Sequence, residues 1–168
     1  MNAASLHARL KMIAWELHMY HMYNNPNGHS VTMRMEFWKT AWLIIEKHKW
    51  KGVGTGDVKR AFNRMYVISN SPLREEWRLR AHNQFLSIGV AFGIPAMIWF
   101  IVSLFLPCIM LKKQNDFLYV SFFIVAFLSM FTEDTLETQA GVTFFALFNC
   151  LYLFLKRESS VVKREEKA

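Results

Sequence analysis

Residues Arg80–Lys113 read RAHNQFLSIGVAFGIPAMIWFIVSLFLPCIMLKK, and this stretch decides the fold class. Positions 85–111 within it are 27 consecutive uncharged, mostly apolar residues. Roughly 20 such residues span a bilayer as a helix, so an ordinary soluble domain is excluded. Two more apolar runs follow, FLYVSFFIVAFLSMF at 117–131 and AGVTFFALFNCLYLFL at 140–155. They are short for spans; either they extend into TEDTLETQ between them, or that segment dips into the bilayer where protein covers it. The reading is an all-α membrane protein with three transmembrane helices at about 85–111, 117–131 and 140–155, since helices satisfy their own backbone in lipid.

Charge orients the spans. Residues 1–84 carry 13 Lys/Arg against 6 Asp/Glu, a net +7, and hold all six histidines. The remaining residues balance at zero. Lys112 and Lys113 follow the first run, and Lys156, Arg157, Lys163, Arg164 and Lys167 follow the third. TEDTLETQ carries three acids and no base. Positive-inside then places 112–116 and the tail 156–168 in the cytoplasm, and TEDTLETQ outside. Residues 1–84 lie outside as a basic helical loop, long enough to escape the charge rule. A basic surface held there implies an anionic partner. Base-reading motifs are missing, and the attached spans hold this half outside the cytoplasm, so nucleic acid is not expected. Cys108 and Cys150 lie in apolar runs, where a thiol acts as a small hydrophobe.

Within the outer segment, Leu6, Leu10, Ile13, Leu17 and Tyr20 recur at helical spacing over 5–23. NNPNG at 24–28 is a turn. Ser30 or Thr32 is placed to cap a second helix from Met33 to about Lys49, on which Arg34, Trp38, Ala41 and Ile45 share a face. Arg34 and Trp38, four apart, can stack guanidinium on indole. KGVGTGD at 51–57 has glycines on alternate positions. It lacks the preceding strand and closing Gly-Lys-Ser/Thr of a phosphate loop. It reads better as a helix end and turn, with Asp57 capping the next helix, DVKRAFNRMYV. LREEWRLR at 73–80 reads as a solvated helix face, or as a carrier of Arg78 or Arg80 toward phosphate.

His82 precedes the first apolar run. A helix continued through it brings Gly89, Gly93 and Ala96 onto its face, a stripe of small residues that invites close helix packing. Pro95 predicts a kink at 91–95. A rigidly held imidazole there suits a general base; it equally suits an interfacial anchor. His18 and His21 stand three apart, but no acid or thiol completes a metal set, so no metal is expected.

His82-Asn83, nine residues, then Gly93-Ile94-Pro95-Ala96 resembles the signature of the O-antigen ligase family, with Ala96 where the family has glycine. Upstream, SVTMRMEFWKTAWLIIEKHKWKGVGTGD resembles the family's Arg-x-x-x-Trp helix and Gly-x-Gly turn, with Arg34 as the arginine. Downstream, FTEDTLETQAGVTFF resembles its acidic outer loop before the last span. The resemblance implies the C-terminal part of a GT-C-like glycosyltransferase in the bacterial inner membrane, its site facing the periplasm. It implies a donor glycan on undecaprenyl diphosphate and an acceptor hydroxyl, such as that of lipid A–core, with no cofactor and no metal. Arg34 would grip the diphosphate. His82 would take the acceptor proton or bind a phosphate. Asp134, or Glu133 beside it, would orient the acceptor or the imidazole, Asn83 would orient His82 or the donor, and Arg80 would face phosphate beside His82. O-antigen polymerase, protein O-oligosaccharyltransferase and an inactive fragment or accessory subunit remain alternatives.

Overall fold

The computed structural model describes the backbone of residues 3–110 and 116–165, and side chains over 7–110 and 116–152. Lys112 and Lys113, on which the cytoplasmic loop rests, lie outside the described residues. Seven α-helices and no strand are present among the described residues: α1 (Ala3–Tyr23), α2 (Ser30–Lys47), α3 (Val58–Ile68), α4 (Gln84–Phe92), α5 (Ile94–Met110), α6 (Phe117–Thr132) and α7 (Gln139–Glu165). They form two compact units, Met1–His82 with Leu86–Pro95, and Asn83–Phe85 with Ala96–Ala168.

The first unit is built around α2. Its buried positions Phe37, Ala41, Ile44 and Ile45 follow the 3.6 period and meet Phe62, Met65 and Tyr66 of α3 and Val90 and Ala91 of α4. The other side of α2 is polar. Glu36 is almost wholly buried. It accepts hydrogen bonds from the Tyr20 hydroxyl and from Ser71 Oγ at 3.1 Å, and Lys39 Nζ stands 3.7 Å away. Glu16 of α1 is buried as well and accepts the Val31 amide at 3.4 Å, in the first turn of α2. The face of α1 turned to α2 is therefore carried by Glu16 and Tyr20, and Leu10 and Leu17, expected inside, are exposed. At the start of α2 the cap position is His29, while Thr32 is buried and donates to Pro26 O at 3.3 Å.

The long apolar run is two helices, not one. Gly93 has φ +87°, and a Cβ there would stand 2.7 Å from the Lys49 carbonyl oxygen. That backbone closes the break. Ile94 N–H donates to Lys49 O at 2.7 Å, Val53 N–H to Val90 O at 2.9 Å and Gly54 N–H to Ala91 O at 2.9 Å. The glycine turn thus supplies donors to the last carbonyls of α4, and Lys49 just before it supplies an acceptor to the first amide of α5, groups a helix end leaves orphaned. KGVGTGD is a turn, as read, though Asp57 stands at the cap position without a capping bond and pairs instead with Arg60 at 3.2 Å. LREEWRLR is not a helix. It has one short turn at Glu75–Trp77 and then runs extended.

The second unit buries Phe85, Leu104, Phe123 and Met130, with Phe100, Phe127 and Phe145 packed against them. Phe85 meets the Phe131 ring at 4.9 Å and the Phe127 ring at 5.5 Å. Here α6 packs on α7, which carries the third apolar run and continues into the basic tail. Among the described residues, no helix is long and apolar enough to cross a membrane. The break at Gly93 leaves α5 with 17 residues, and α6 has 16.

Candidate functional site

The segment after the Glu75–Trp77 turn has no helical partner for its carbonyls, so ring donors satisfy them. Tyr66 of α3 donates its hydroxyl to Leu79 O at 2.8 Å. Burial pushes the Tyr66 phenol above its ordinary value of 10.0, which keeps it a donor. Trp38 of α2 donates its indole N–H to Ala81 O at 3.1 Å. Arg78 lies with its guanidinium carbon 5.9 Å from the Tyr66 ring centre and donates Nε to Leu73 O at 3.2 Å. Residues 78–81 are thus pinned as a strap across α2 and α3, with Ala81 fully buried.

His82 ends the strap. Its φ is +46°, the left-handed region, so no helix passes through it and α4 starts two residues later. The small-residue stripe below an imidazole on one continuous helix is therefore overturned. Among the described residues, two other non-glycine residues share this conformation, Asn24 and Asn70, and asparagine tolerates it well. For histidine it costs on the order of 1 kcal/mol, and strain of that kind concentrates at sites of function. The His82 ring lies 6.0 Å from the Phe37 ring, centre to centre. Phe37 and Trp38 stand three and four positions after Arg34, one turn along the same face of α2. So the Arg-x-x-x-Trp helix presents a half-buried guanidinium, then the ring that supports the half-buried imidazole, then the indole that fixes the preceding carbonyl. Arg80 is exposed on the strap. Phe37 was absent from the sequence candidates; its spacing of three from Arg34 was the available signal.

The chain enters the second unit at Asn83. Its Oδ1 accepts the Phe85 amide at 3.1 Å, the arrangement of a helix N-cap. Its Nδ2 donates to Phe131 O at 3.1 Å, and its own amide donates to Asp134 Oδ1 at 3.2 Å. Gln84 Oε1 accepts the Leu136 amide at 2.7 Å. Asp134 is buried, and Glu133, which ends α6, is exposed. The His-Asn-Gln triplet is thus divided by role: His82 closes the strap, while Asn83 and Gln84 hold the Phe131–Leu136 segment.

A family model described as O-antigen ligase matches residues 5–101. The chain belongs to the O-antigen ligase family. The match contains Arg34, Arg80, His82 and Asn83 and stops before Glu133 and Asp134. Against curated proteins one by one, the chain finds no match. The O-antigen ligase family implies glycosyltransferase-type activity of the ligase and polymerase kind, acting on glycans and lipid-linked substrates, and its members are generally membrane proteins. The kinship read from motif order therefore holds at the level of the family.

Proposed function

We propose that this chain transfers a glycan from undecaprenyl diphosphate to a sugar hydroxyl such as that of lipid A–core, at the outer face of the bacterial inner membrane. The observation that carries the reading is the shared end of α2: Arg34 stands one turn from Phe37 and Trp38, which support His82 and its strap. Arg34 binds the diphosphate through its planar fork and stabilises the charge that grows on the leaving group as the glycosidic bond breaks. His82 either removes the proton of the attacking hydroxyl or binds a phosphate oxygen beside Arg34. Asn83 and Asp134 act as positioning residues, through the bond that fixes the amide after His82. Glu133 and Arg80, both exposed, are assigned to substrate contact. No metal enters the proposed chemistry, because the diphosphate already supplies the leaving group.

A bilayer setting is supported by the second unit. Trp99, Ile109, Met110, Phe117, Val125 and Leu147 are all exposed, a concentration of large apolar side chains that lipid accommodates better than water. The proposed spans are α5, α6 and the first part of α7, with residues 1–84 and 132–139 outside and the tail 156–168 in the cytoplasm.

The test is complementation. Cells lacking the protein are supplied with wild type, Arg34→Ala or Arg34→Lys, and their lipopolysaccharide is resolved on a gel beside a blot for the protein. Arg34→Ala abolishes the glycan ladder at unchanged protein level, and Arg34→Lys restores little, because a point charge does not reproduce the bidentate fork. A normal ladder from Arg34→Ala sinks the reading.

A further inference from the structure

The other end of α2 carries a second basic centre. Between the C-terminal turn of α2, the glycine turn and α3 lies a cleft of about 520 Å³. Lys47, His48, Arg60 and Arg64 stand around it, and Val53 and Ile68 line it as well. Lys47 lies 13 positions along α2 from Arg34, about 20 Å at helical rise. The cleft is therefore separate from the Arg34–His82 end, and one small group does not touch both.

Its charge is unbalanced. Among the described residues, Asp57 is the only carboxylate lining the cleft, and it is committed to Arg60 at 3.2 Å. Among the described residues, Lys47 and Arg64 have no ion-pair partner. The two cations come from different helices and face one concavity. That arrangement concentrates positive potential where low-dielectric walls focus it. The volume falls in the usual range for small-ligand sites. A small dianion with an organic body fits these features. Its phosphate takes hydrogen bonds from Lys47 and Arg64, and its less polar face lies on Val53 and Ile68.

We propose that this cleft binds a phosphate monoester on a sugar or lipid headgroup, and that it anchors an extended anionic substrate at a point remote from Arg34. The binding itself does not depend on the glycan-transfer reading, because Lys47 lies 13 positions along α2 from Arg34.

The test uses the full chain in detergent micelles, titrated with glucose 6-phosphate and with unphosphorylated glucose. Phosphatidylcholine vesicles with and without phosphatidic acid form a parallel arm. Binding of glucose 6-phosphate but not glucose is expected, and it weakens as salt rises. Arg64→Glu and Lys47→Glu each weaken it roughly 10- to 100-fold, the range for losing a hydrogen bond to a charged group. Arg74→Glu, an exposed arginine outside the cleft, leaves it unchanged. Binding confined to phosphatidic-acid vesicles, with the same variant pattern, assigns the phosphate to a lipid headgroup. In the wild-type protein, either probe also protects Lys47 but not Lys11 of α1 from amine acylation, read by mass spectrometry. This readout stands even where a variant fails to fold. Absence of binding to both probes, equal weakening by Arg74→Glu, or no protection of Lys47 overturns the proposal.

Discussion

Gly52, Gly54 and Gly56 stand on alternate positions of one turn, and the structure assigns their replacement by alanine three different outcomes. Gly52 has φ +66°, and its new Cβ would lie 2.3 Å from the Ala91 carbonyl carbon and oxygen and 2.4 Å from the Phe92 nitrogen. Left-handed backbone costs a side-chain-bearing residue about 1–2 kcal/mol. Relief of the overlap requires the turn to retreat by about 1 Å, given carbon contacts near 3.5 Å. That retreat breaks the bonds from Val53 to Val90 O and from Gly54 to Ala91 O, worth about 1 kcal/mol each. Gly52→Ala therefore costs about 3–4 kcal/mol, a large share of the stability of a typical domain. Gly54 has φ +85° and ψ 151°, a backbone region essentially reserved for glycine, but nothing within 4 Å of a Cβ, so Gly54→Ala costs the backbone strain alone, about 1–3 kcal/mol. Gly56 has neither positive φ nor a near neighbour, and Gly56→Ala is neutral or stabilising by up to about 1 kcal/mol. Urea unfolding of the three variants in one detergent gives the order directly. Equal effects at all three positions, or a Gly52→Ala midpoint at the wild-type value, would refute the role of this turn as the seal of the α4–α5 break.

Trp38→Phe leaves Ala81 O without its donor and should cost about 1–3 kcal/mol, and it should lower glycan transfer through the position of His82; an unchanged melt and unchanged transfer contradict the strap. Asn83→Ala removes the α4 cap and the bond to Phe131 O, so a loss of about 2 kcal/mol is expected in the same urea titration. The Tyr20 phenol is raised from 10.0 to about 12 by its burial first and then by its bond to Glu36. Its folded pKa exceeds the unfolded one, so its contribution to stability is full below pH 10.0 and is lost as pH rises to about 12. Melting temperatures recorded from neutral pH upward should fall in that window for wild type and fall less for Tyr20→Phe.

The apolar periodicity of α2 and the three apolar runs were legible because burial of one face imposes the 3.6 spacing directly on sequence. The turn at 51–57 was legible from its glycines. The break at Gly93 was not, because its cause is the backbone at 49–51, some forty residues earlier, and Pro95 drew the reading toward a kink within one helix. The polar face of α1 was hidden for the same reason: Glu16 is buried against the Val31 amide and Tyr20 half-buried against Glu36, partners that local periodicity does not record. Arg34 and His82 stood out as candidates through the order of short motifs. The left-handed turn at His82 did not, since it follows from two ring donors on two different helices. Asn83, read as orienting His82 or the donor, is also the cap of α4, a role its place before an apolar run could have signalled.

The most direct test of the central claim is the rate of glycan transfer by His82→Ala in the protein purified from its native membrane, with undecaprenyl-diphosphate-linked glycan as donor. His82 sits at the end of a strap and is only half buried, so its truncation leaves the packed cores intact and the melt close to wild type. Loss of one transition-state contact of this kind costs roughly 3–4 kcal/mol, a 100- to 1,000-fold drop in rate. The account predicts that drop at unchanged stability. Transfer by His82→Ala within a few-fold of wild type would contradict it and return the histidine to the role of an interfacial anchor.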